Sequence, residues 1–141
     1  MENLQLSKNE YSLVCSEDNL DLWEFIRTLR NNESVQHGFI QKSNITPDQQ
    51  KKYMSERGKN YFVCFLDKTP VGFIGDVESD IRICVIPEFQ NRGIGTWMIN
   101  NFSKLYPCSL AKVKIENKQS LRSFEKAGYK IKYYLLQKEE E

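Results

Sequence analysis

Residues 85–96, which read VIPEFQNRGIGT, decide the fold of this chain. An apolar, strand-like run ends at Ile86, a short loop follows Pro87, and Gly93 and Gly95 open a stretch with helical spacing. Glycines let the backbone approach an anion closely, and the free N–H groups of a first helical turn point towards it. The segment predicts a strand, a tight loop and a helix, and the loop either binds a diphosphate or only eases the turn.

Two common phosphate-binding motifs do not fit this loop. A Walker loop requires a lysine directly after its second glycine, and the residue after Gly95 is Thr96. A dinucleotide fingerprint requires a third glycine at the position of Met98. Arg92 lies inside the loop and can add a charge-assisted hydrogen bond to a phosphate.

The periodicity on both sides of the loop predicts one mixed α/β domain. Alternating or continuous apolar runs indicate strands, and apolar residues three and four apart indicate helices. Thr46 followed by Pro47 and Gln49 is typical of a helix start, and Ser16 or Asp18 can cap the first helix. The predicted strands cover 11–15, 60–66, 70–75, 80–86, 111–116 and 129–136, and the predicted helices cover 19–31, 46–57, 93–105 and 118–127.

Composition excludes several classes of protein. The 141 residues suit one domain, and 40% hydrophobic residues supply a core. Twenty Lys and Arg against 19 Asp and Glu leave a net charge of +1, which disfavours a nucleic-acid-binding domain. No apolar run approaches the roughly 20 residues of a membrane span, and residues 1–12 lack the pattern of a secretory signal. We expect a cytoplasmic protein with a solvated tail at its acidic end.

The four cysteines do not predict a metal site. Cys15, Cys64, Cys84 and Cys108 form no C-x-x-C pair, and His37 is the only histidine in the sequence. Apolar surroundings favour reduced thiols that pack in the core, with a Cys84 and histidine nucleophile pair as the alternative.

Two segments together resemble the GNAT superfamily of N-acetyltransferases. The strand, Pro87 and the pattern Gln90-x-x-Gly93-x-Gly95 are similar to the family's acyl-CoA pyrophosphate loop. The run from Asn117 through Ser120 and Phe124 to residues 125–129, EKAGY, is similar to its second motif. The resemblance covers essentially the whole chain, 1–141, and implies one domain with a mostly antiparallel sheet, a splayed strand pair and flanking helices.

The resemblance also implies where acetyl-CoA binds. Backbone groups near Cys84 and Val85 would pair with the pantetheine amides, and N–H groups of residues 91–96 would hold the pyrophosphate. Lys118, Arg122 and Lys126 are placed to meet phosphates. Asn117 would bind the arm, or serve only as a helix N-cap. The implied acetyl-CoA residues are Cys84, Val85, Gln90, Asn91, Arg92, Gly93, Ile94, Gly95, Thr96, Asn117 and Phe124.

The residues that would transfer protons match the family pattern less well than the acetyl-CoA loop does. The family often has a tyrosine acid where this chain has Phe124, so thiolate departure would rely on water, Ser120 or Ser123. An amine must lose a proton, and the carboxylates at 76–80 are the candidate acceptors, with Asp80 preferred and Glu78 second.

The N-terminal helices would select the acceptor. Arg27, Arg30, Asn31 and His37 are the candidate residues, because two arginines can grip a carboxylate or a phosphate. We therefore expect direct acetyl transfer in a ternary complex to a small polar amine, such as an amino sugar or an amino acid derivative.

Alternatives are a catalytically weak or inactive acyl-CoA-binding module, a protein or peptide N-acetyltransferase, and a structural domain without a ligand. The expected chain is a monomer or homodimer, without metal and without nucleic-acid or membrane partners.

Overall fold

The computed structural model describes residues 10–40, 42 and 44–139. The last two residues of the predicted tail and positions 41 and 43 of the polar loop lie outside these residues. The strands are β1 (Tyr11–Cys15), β2 (Tyr61–Leu66), β3 (Thr69–Val77) and β4 (Asp80–Val85). The helices are α1 (Leu20–Arg30), α2 (Glu33–Gln36), α3 (Pro47–Arg57), α4 (Ile94–Leu105) and α5 (Lys118–Lys126).

The four strands form one antiparallel sheet in the order β1-β2-β3-β4. The β3–β4 turn is short because Glu78 and Ser79 both adopt positive φ angles, of 53° and 67°. Such a left-handed pair matches the twist of a two-residue hairpin. The Ser79 N–H donates to Asp76 Oδ1 at 3.1 Å and fixes the turn. The predicted mixed α/β fold with a mostly antiparallel sheet is confirmed.

Local capping explains where the helices begin. The predicted Thr46 and Gln49 capping box is present at the start of α3. Asn19 caps α1, instead of the predicted Ser16 or Asp18, and accepts the Leu22 N–H. Ser16 is buried, and its hydroxyl donates to the Gly58 carbonyl at 2.7 Å.

One hydrophobic core lies on each face of the sheet. Ile26 of α1 and Met54 of α3 pack on one face with Tyr61. Met98 and Phe102 of α4 pack on the other face, where α5 also contributes its apolar side. Each fully buried side chain of this size stabilises the fold by about 1.5–3 kcal/mol. None of the described helices combines the length and apolar character that a bilayer span needs.

The predicted strands 111–116 and 129–136 are wrong. Leu110 forms one parallel bridge with Asp80, and beyond it the chain leaves β4 without a second ladder contact. Residues 130–139 are exposed and have no regular secondary structure, and no described strand pairs with them. Alternation of polar and apolar residues suits a strand, but a ladder also needs a neighbour, which sequence alone does not supply. The short helix α2 was not predicted.

Candidate active site

A cleft of about 560 Å³ lies between β4 and the segment that joins residue 110 to α5. Its other walls are the 89–96 loop, the first turns of α4 and α5, and the segment 35–40 with Lys42. The cleft brings together most of the predicted site residues, namely Arg30, His37, Asp80, Cys84, Val85, Gln90, Asn91, Gly93, Ile94, Gly95, Thr96, Asn117, Ser120 and Phe124. Arg27, Asn31, Glu78 and Arg92 do not line it.

The glycine loop presents an open helix start to this cleft. Asn91 and Gly93 have positive φ angles of 64° and 82°, and no side chain caps α4. The N–H groups of a first helical turn have no acceptor within their own helix. A Cβ built on Gly93 would meet no atom within 4 Å, so the space beside the loop is free. The Arg92 guanidinium lies 5.1 Å from the centre of the Phe89 ring and not in the cleft.

The free edge of β4 forms one wall. The Ile81 N–H donates outward to the Leu110 carbonyl at 2.9 Å, and the Ile86 N–H donates to β3 at 2.8 Å. Because backbone groups alternate sides along a strand, those of Ile83 and Val85 face the gap. Cys84 lines the cleft, but its backbone groups face β3. The Val85 carbonyl accepts the Gln90 side-chain amide at 3.0 Å.

Two hydrogen bonds join the opposite wall to the N-terminal half of the chain. Asn117 caps α5 by accepting the Ser120 N–H at 3.1 Å, and its Nδ2 donates to the Gly38 carbonyl at 3.3 Å. Lys114 Nζ donates to the His37 carbonyl at 2.9 Å. Asn117 therefore supports the cleft as well as lining it. Phe124 is 3% exposed, and its ring centre lies 5.3 Å from that of Tyr129.

The three carboxylates at the β3–β4 turn have different surroundings. Asp80 Oδ2 accepts from Arg82 Nε at 3.1 Å inside the cleft. The Glu78 side chain is 83% exposed and lies 3.8 Å from Arg57. Asp76 accepts hydrogen bonds from the Ser79 backbone and the Ser109 hydroxyl. Asp80 is the one of these three that lines the cleft.

The predicted acceptor residues divide into two groups. Arg27 pairs with Glu24 and donates to the Ile45 carbonyl at 3.0 Å. Asn31 exchanges two hydrogen bonds of 2.8 Å with the Ile45 backbone. These two residues hold the loop before α3, whereas Arg30 and His37 line the cleft.

Arg82 is a cleft residue that the sequence reasoning missed. Its signal was a charged residue inside the apolar strand 80–86. Arg82 pairs across the ladder with Gly75, and Gly75 pairs with Tyr61. A Cβ on Gly75 would lie 2.5 Å from the Tyr61 ring, so the glycine lets that ring pass over the sheet. Nothing in the sequence pattern identified Tyr61 as a neighbour of the site.

The cleft thiol of Cys84 is buried, which makes it a poor nucleophile at neutral pH. Burial raises the pKa of Cys84 to about 12, and burial likewise raises the pKa of Cys64 to about 12. Thiolates, not thiols, attack electrophiles. The interpretation of Cys84 as a packed core residue is therefore favoured over a Cys84–His37 nucleophile pair. Across the described residues, no group of three or more His, Cys, Asp and Glu side chains lies close enough together to hold a metal ion.

Comparisons with known proteins agree on one family. Residues 57–131 match the family model of the acetyltransferase (GNAT) domain. No protein of curated function matches the chain significantly by sequence.

Solved structures share the fold at low sequence identity. The chain is similar to spermidine N-acetyltransferase from Vibrio cholerae in complex with CoA and spermine, with a TM-score of 0.75 and 18% identity over 91% of this chain and 85% of that one. It is also similar to a GNAT-family acetyltransferase from Bacillus anthracis, with a TM-score of 0.66 and 20% identity over 86% and 81%. An aminoglycoside N-acetyltransferase in complex with CoA gives a TM-score of 0.69 and 15% identity over 97% and 99%.

The cysteines provide a test of burial in the cleft. With iodoacetamide at pH 7.5, exposed Cys15 and Cys108 should be alkylated much faster than Cys64 and Cys84. The reason is that a thiol with a pKa of about 12 has a very small thiolate fraction at this pH. Peptide mass spectrometry over a time course measures each site. Labelling of Cys84 as fast as Cys15 would contradict the buried position.

Proposed function

Because this chain belongs to the GNAT acetyltransferase family, we propose that it transfers the acetyl group of acetyl-CoA to the primary amine of a small polar acceptor. The reaction we propose is direct attack by the amine within a ternary complex. The observation that carries this proposal is the uncapped glycine-loop start of α4, which opens into the same cleft as the free edge of β4.

The described residues fit acetyl-CoA as a co-substrate. Its diphosphate matches the open N–H groups at the start of α4, where the helix dipole also favours negative charge. Arg122 and Lys126 line the cleft beside that helix and can neutralise phosphate charge. The amides of the pantetheine arm match the open backbone groups of Ile83 and the Val85 N–H, as an added strand would, whereas the Val85 carbonyl already accepts from Gln90. This assigns the backbone pairing to Ile83 and Val85, in place of Cys84.

Bound there, the thioester supplies an activated acetyl group. In the transfer, the amine nitrogen forms a bond to the carbonyl carbon, the C–S bond breaks, and the sulphur keeps its electron pair. One proton leaves the nitrogen, and one proton reaches the thiolate or the solvent. Holding the two reactants together can contribute about 7–11 kcal/mol, which is more than a single acid or base supplies.

Asp80 is the proposed proton acceptor. It lies at the start of β4, lines the cleft and keeps one carboxylate oxygen outside its contact with Arg82. The exposure of Glu78 and its position outside the cleft argue against Glu78 as the base. Phe124 has no proton to give, so the thiolate would be protonated by water or by Ser120, which lines the cleft.

A non-catalytic acyl-CoA-binding module is the second candidate. It is favoured by one observation, that a buried phenyl ring occupies the position where the family often has a tyrosine acid. Such a module would bind CoA through the same loop but would release no free CoA in the presence of any amine.

Two glycines test the CoA loop as a matched pair. Gly93 and Gly128 both have positive φ, and a Cβ on either would meet no atom within 4 Å. Alanine at each position should cost a similar 1–2 kcal/mol or so of stability, because the backbone strain is alike. Only Gly93→Ala should weaken CoA binding, by about tenfold or more, which is ~1.4 kcal/mol. Calorimetric titration with CoA and thermal unfolding measure the two effects. Equal CoA affinity in both variants would overturn the loop assignment.

Asp80→Asn tests the proton acceptor, with Glu78→Gln as its control. The Asp80 variant should lose about 10²-fold in kcat or more, the usual contribution of a positioned base, and keep acetyl-CoA affinity within about twofold. Glu78→Gln should match the wild type. A wild-type rate for Asp80→Asn would mean that water accepts the proton.

Phe124→Tyr tests the missing acid, with Phe102→Tyr as its control. A hydroxyl on the Phe124 ring can reach the cleft, whereas Phe102 is fully buried and does not line it. We expect equal or higher turnover for Phe124→Tyr, most clearly at low pH, and a stability loss of about 1–3 kcal/mol without faster turnover for Phe102→Tyr. Release of CoA thiol measures the rate. A stable but slower Phe124→Tyr enzyme would mean that the phenyl ring is an apolar wall for the acceptor.

A further inference from the structure

A row of side chains crosses the sheet at the end of the cleft where β4 begins. Tyr61, Gly75 and Arg82 are direct cross-strand neighbours on β2, β3 and β4. Because cross-strand neighbours project from the same face, Arg82 stands beside the Tyr61 ring that covers Gly75. Arg82 lies three residues before Val85, or about 10 Å along the strand. The row is therefore displaced from the glycine loop.

Two tyrosines connect this row to α1. The hydroxyl groups of Tyr53 and Tyr61 lie 2.8 Å apart, and the Arg30 guanidinium lies 5.8 Å from the centre of the Tyr53 ring. Burial raises the pKa of Tyr61, and both Arg30 and Arg82 act on that pKa in the opposite direction. Both guanidinium groups are thus close enough to the same buried hydroxyl to act on its pKa. Arg30 and Arg82 approach one region from two different elements.

These two arginines retain hydrogen-bond donors that no described residue accepts. Arg30 has no ion pair within the part of the chain that the structure describes, although it lines the cleft. Arg82 contacts Asp80 through Nε alone, and its side chain is 43% exposed. Arg57, which also lies over Tyr53, is directed to Glu78 and does not line the cleft. A guanidinium presents up to five donors, so each of the two cleft arginines can bind an anion.

The charged side chains that line the cleft also favour an anionic ligand. Among the described residues, its lining contains six cationic side chains, Arg30, Lys42, Arg82, Lys112, Arg122 and Lys126, and one carboxylate, Asp80. A diphosphate near the glycine loop would use Arg122 and Lys126 but would not reach the Arg30 and Arg82 end. A polyamine acceptor requires several carboxylates along its path, which this lining does not offer. An acceptor with an ammonium group for Asp80 and an anionic group for the arginines matches the charges present.

We infer that the acceptor is an amine that also carries a carboxylate or a phosphate, and that Arg30 and Arg82 bind this anionic group. This inference rests on the proposed acetyl transfer. It replaces the predicted Arg27 and Arg30 pair, because Arg27 is engaged by Glu24 and Ile45 outside the cleft. A planar carboxylate or a phosphate can receive two parallel N–H bonds from one guanidinium. Arg30 and Arg82 are thus specificity-determining residues for the acceptor.

The first experiment compares amines that differ only in the anionic group. Amino acids are paired with their amides, glucosamine 6-phosphate is paired with glucosamine, and spermidine is the polycation. In at least one pair, we expect kcat/KM for the anionic amine to be about tenfold or more higher than for its neutral partner and for spermidine. A factor of this size is what a hydrogen bond to a charged group contributes. The amino acid and phosphate arms separate the two sources of negative charge.

The second experiment assigns the preference to the arginines. Arg30→Gln should raise KM for the preferred anionic amine by about tenfold or more and lower the preference over its neutral partner by a similar factor, with acetyl-CoA affinity little changed. Arg30→Lys keeps the charge and should lose less. Arg57→Gln is the matched control, because Arg57 lies over the same Tyr53 ring outside the cleft. Arg82→Gln should reproduce the loss in KM, and thermal unfolding checks that each variant is folded.

The outcomes separate the two proposals. No release of CoA with any amine would overturn the acetyl transfer itself and the inference with it. Faster reaction of spermidine or of the neutral amines would leave the acetyl transfer standing and overturn the anionic acceptor. A folded Arg30→Gln variant with the wild-type preference would also overturn it. Loss of the preference in Arg30→Gln and Arg82→Gln, but not in Arg57→Gln, would support it.

Discussion

The separation of β4 from the chain that follows Leu110 is the constraint on which the rest of the structure depends. One bridge joins Asp80 to Leu110, and beyond it the two segments diverge around the cleft. Backbone groups left without partners are costly when they are also removed from water. An extended molecule with amide groups can satisfy those of Ile83 and the Val85 N–H. The same divergence places the uncapped start of α4 at the end of this open edge, where an anion is favoured.

Packing on the face of the sheet that α1 and α3 cover decides where two of the cleft arginines lie. Gly75 has no side chain, so the Tyr61 ring covers it and brings its hydroxyl to Tyr53. α1 and β4 then lie on two sides of the Tyr53 and Tyr61 pair. Helix α1 contributes Arg30 and strand β4 contributes Arg82. The positions of these two arginines in the cleft thus follow from how the core is packed as much as from the residues that line it.

Several polar residues near the cleft hold the structure together. Asn117 is bound both to the first turn of α5 and to the Gly38 carbonyl, so it links the two halves of the chain. Asn31 and Arg27 fix the backbone of Ile45, and Asp76 fixes its own turn and Ser109. Polar groups of this kind contribute about 0.5–1.5 kcal/mol each by hydrogen bonding. They resemble ligand-binding residues in a sequence, because the same amide and charged groups serve both purposes.

The sequence by itself determined the parts of this protein that depend on local chemistry. The Thr46 and Gln49 capping box, the β2–β4 meander and the glycines at 93 and 95 each act within a few residues of chain, so their patterns predicted the elements and the family resemblance. The tertiary structure decided everything that depends on a neighbour distant in the chain. Alternation in 111–116 and 129–136 predicted strands, but a strand exists only where another strand pairs with it. Likewise Arg27 and Arg30 are three residues apart on one helix, and only the packing of α1 against the Ile45 loop and Tyr53 directs one to a structural contact and the other to the cleft.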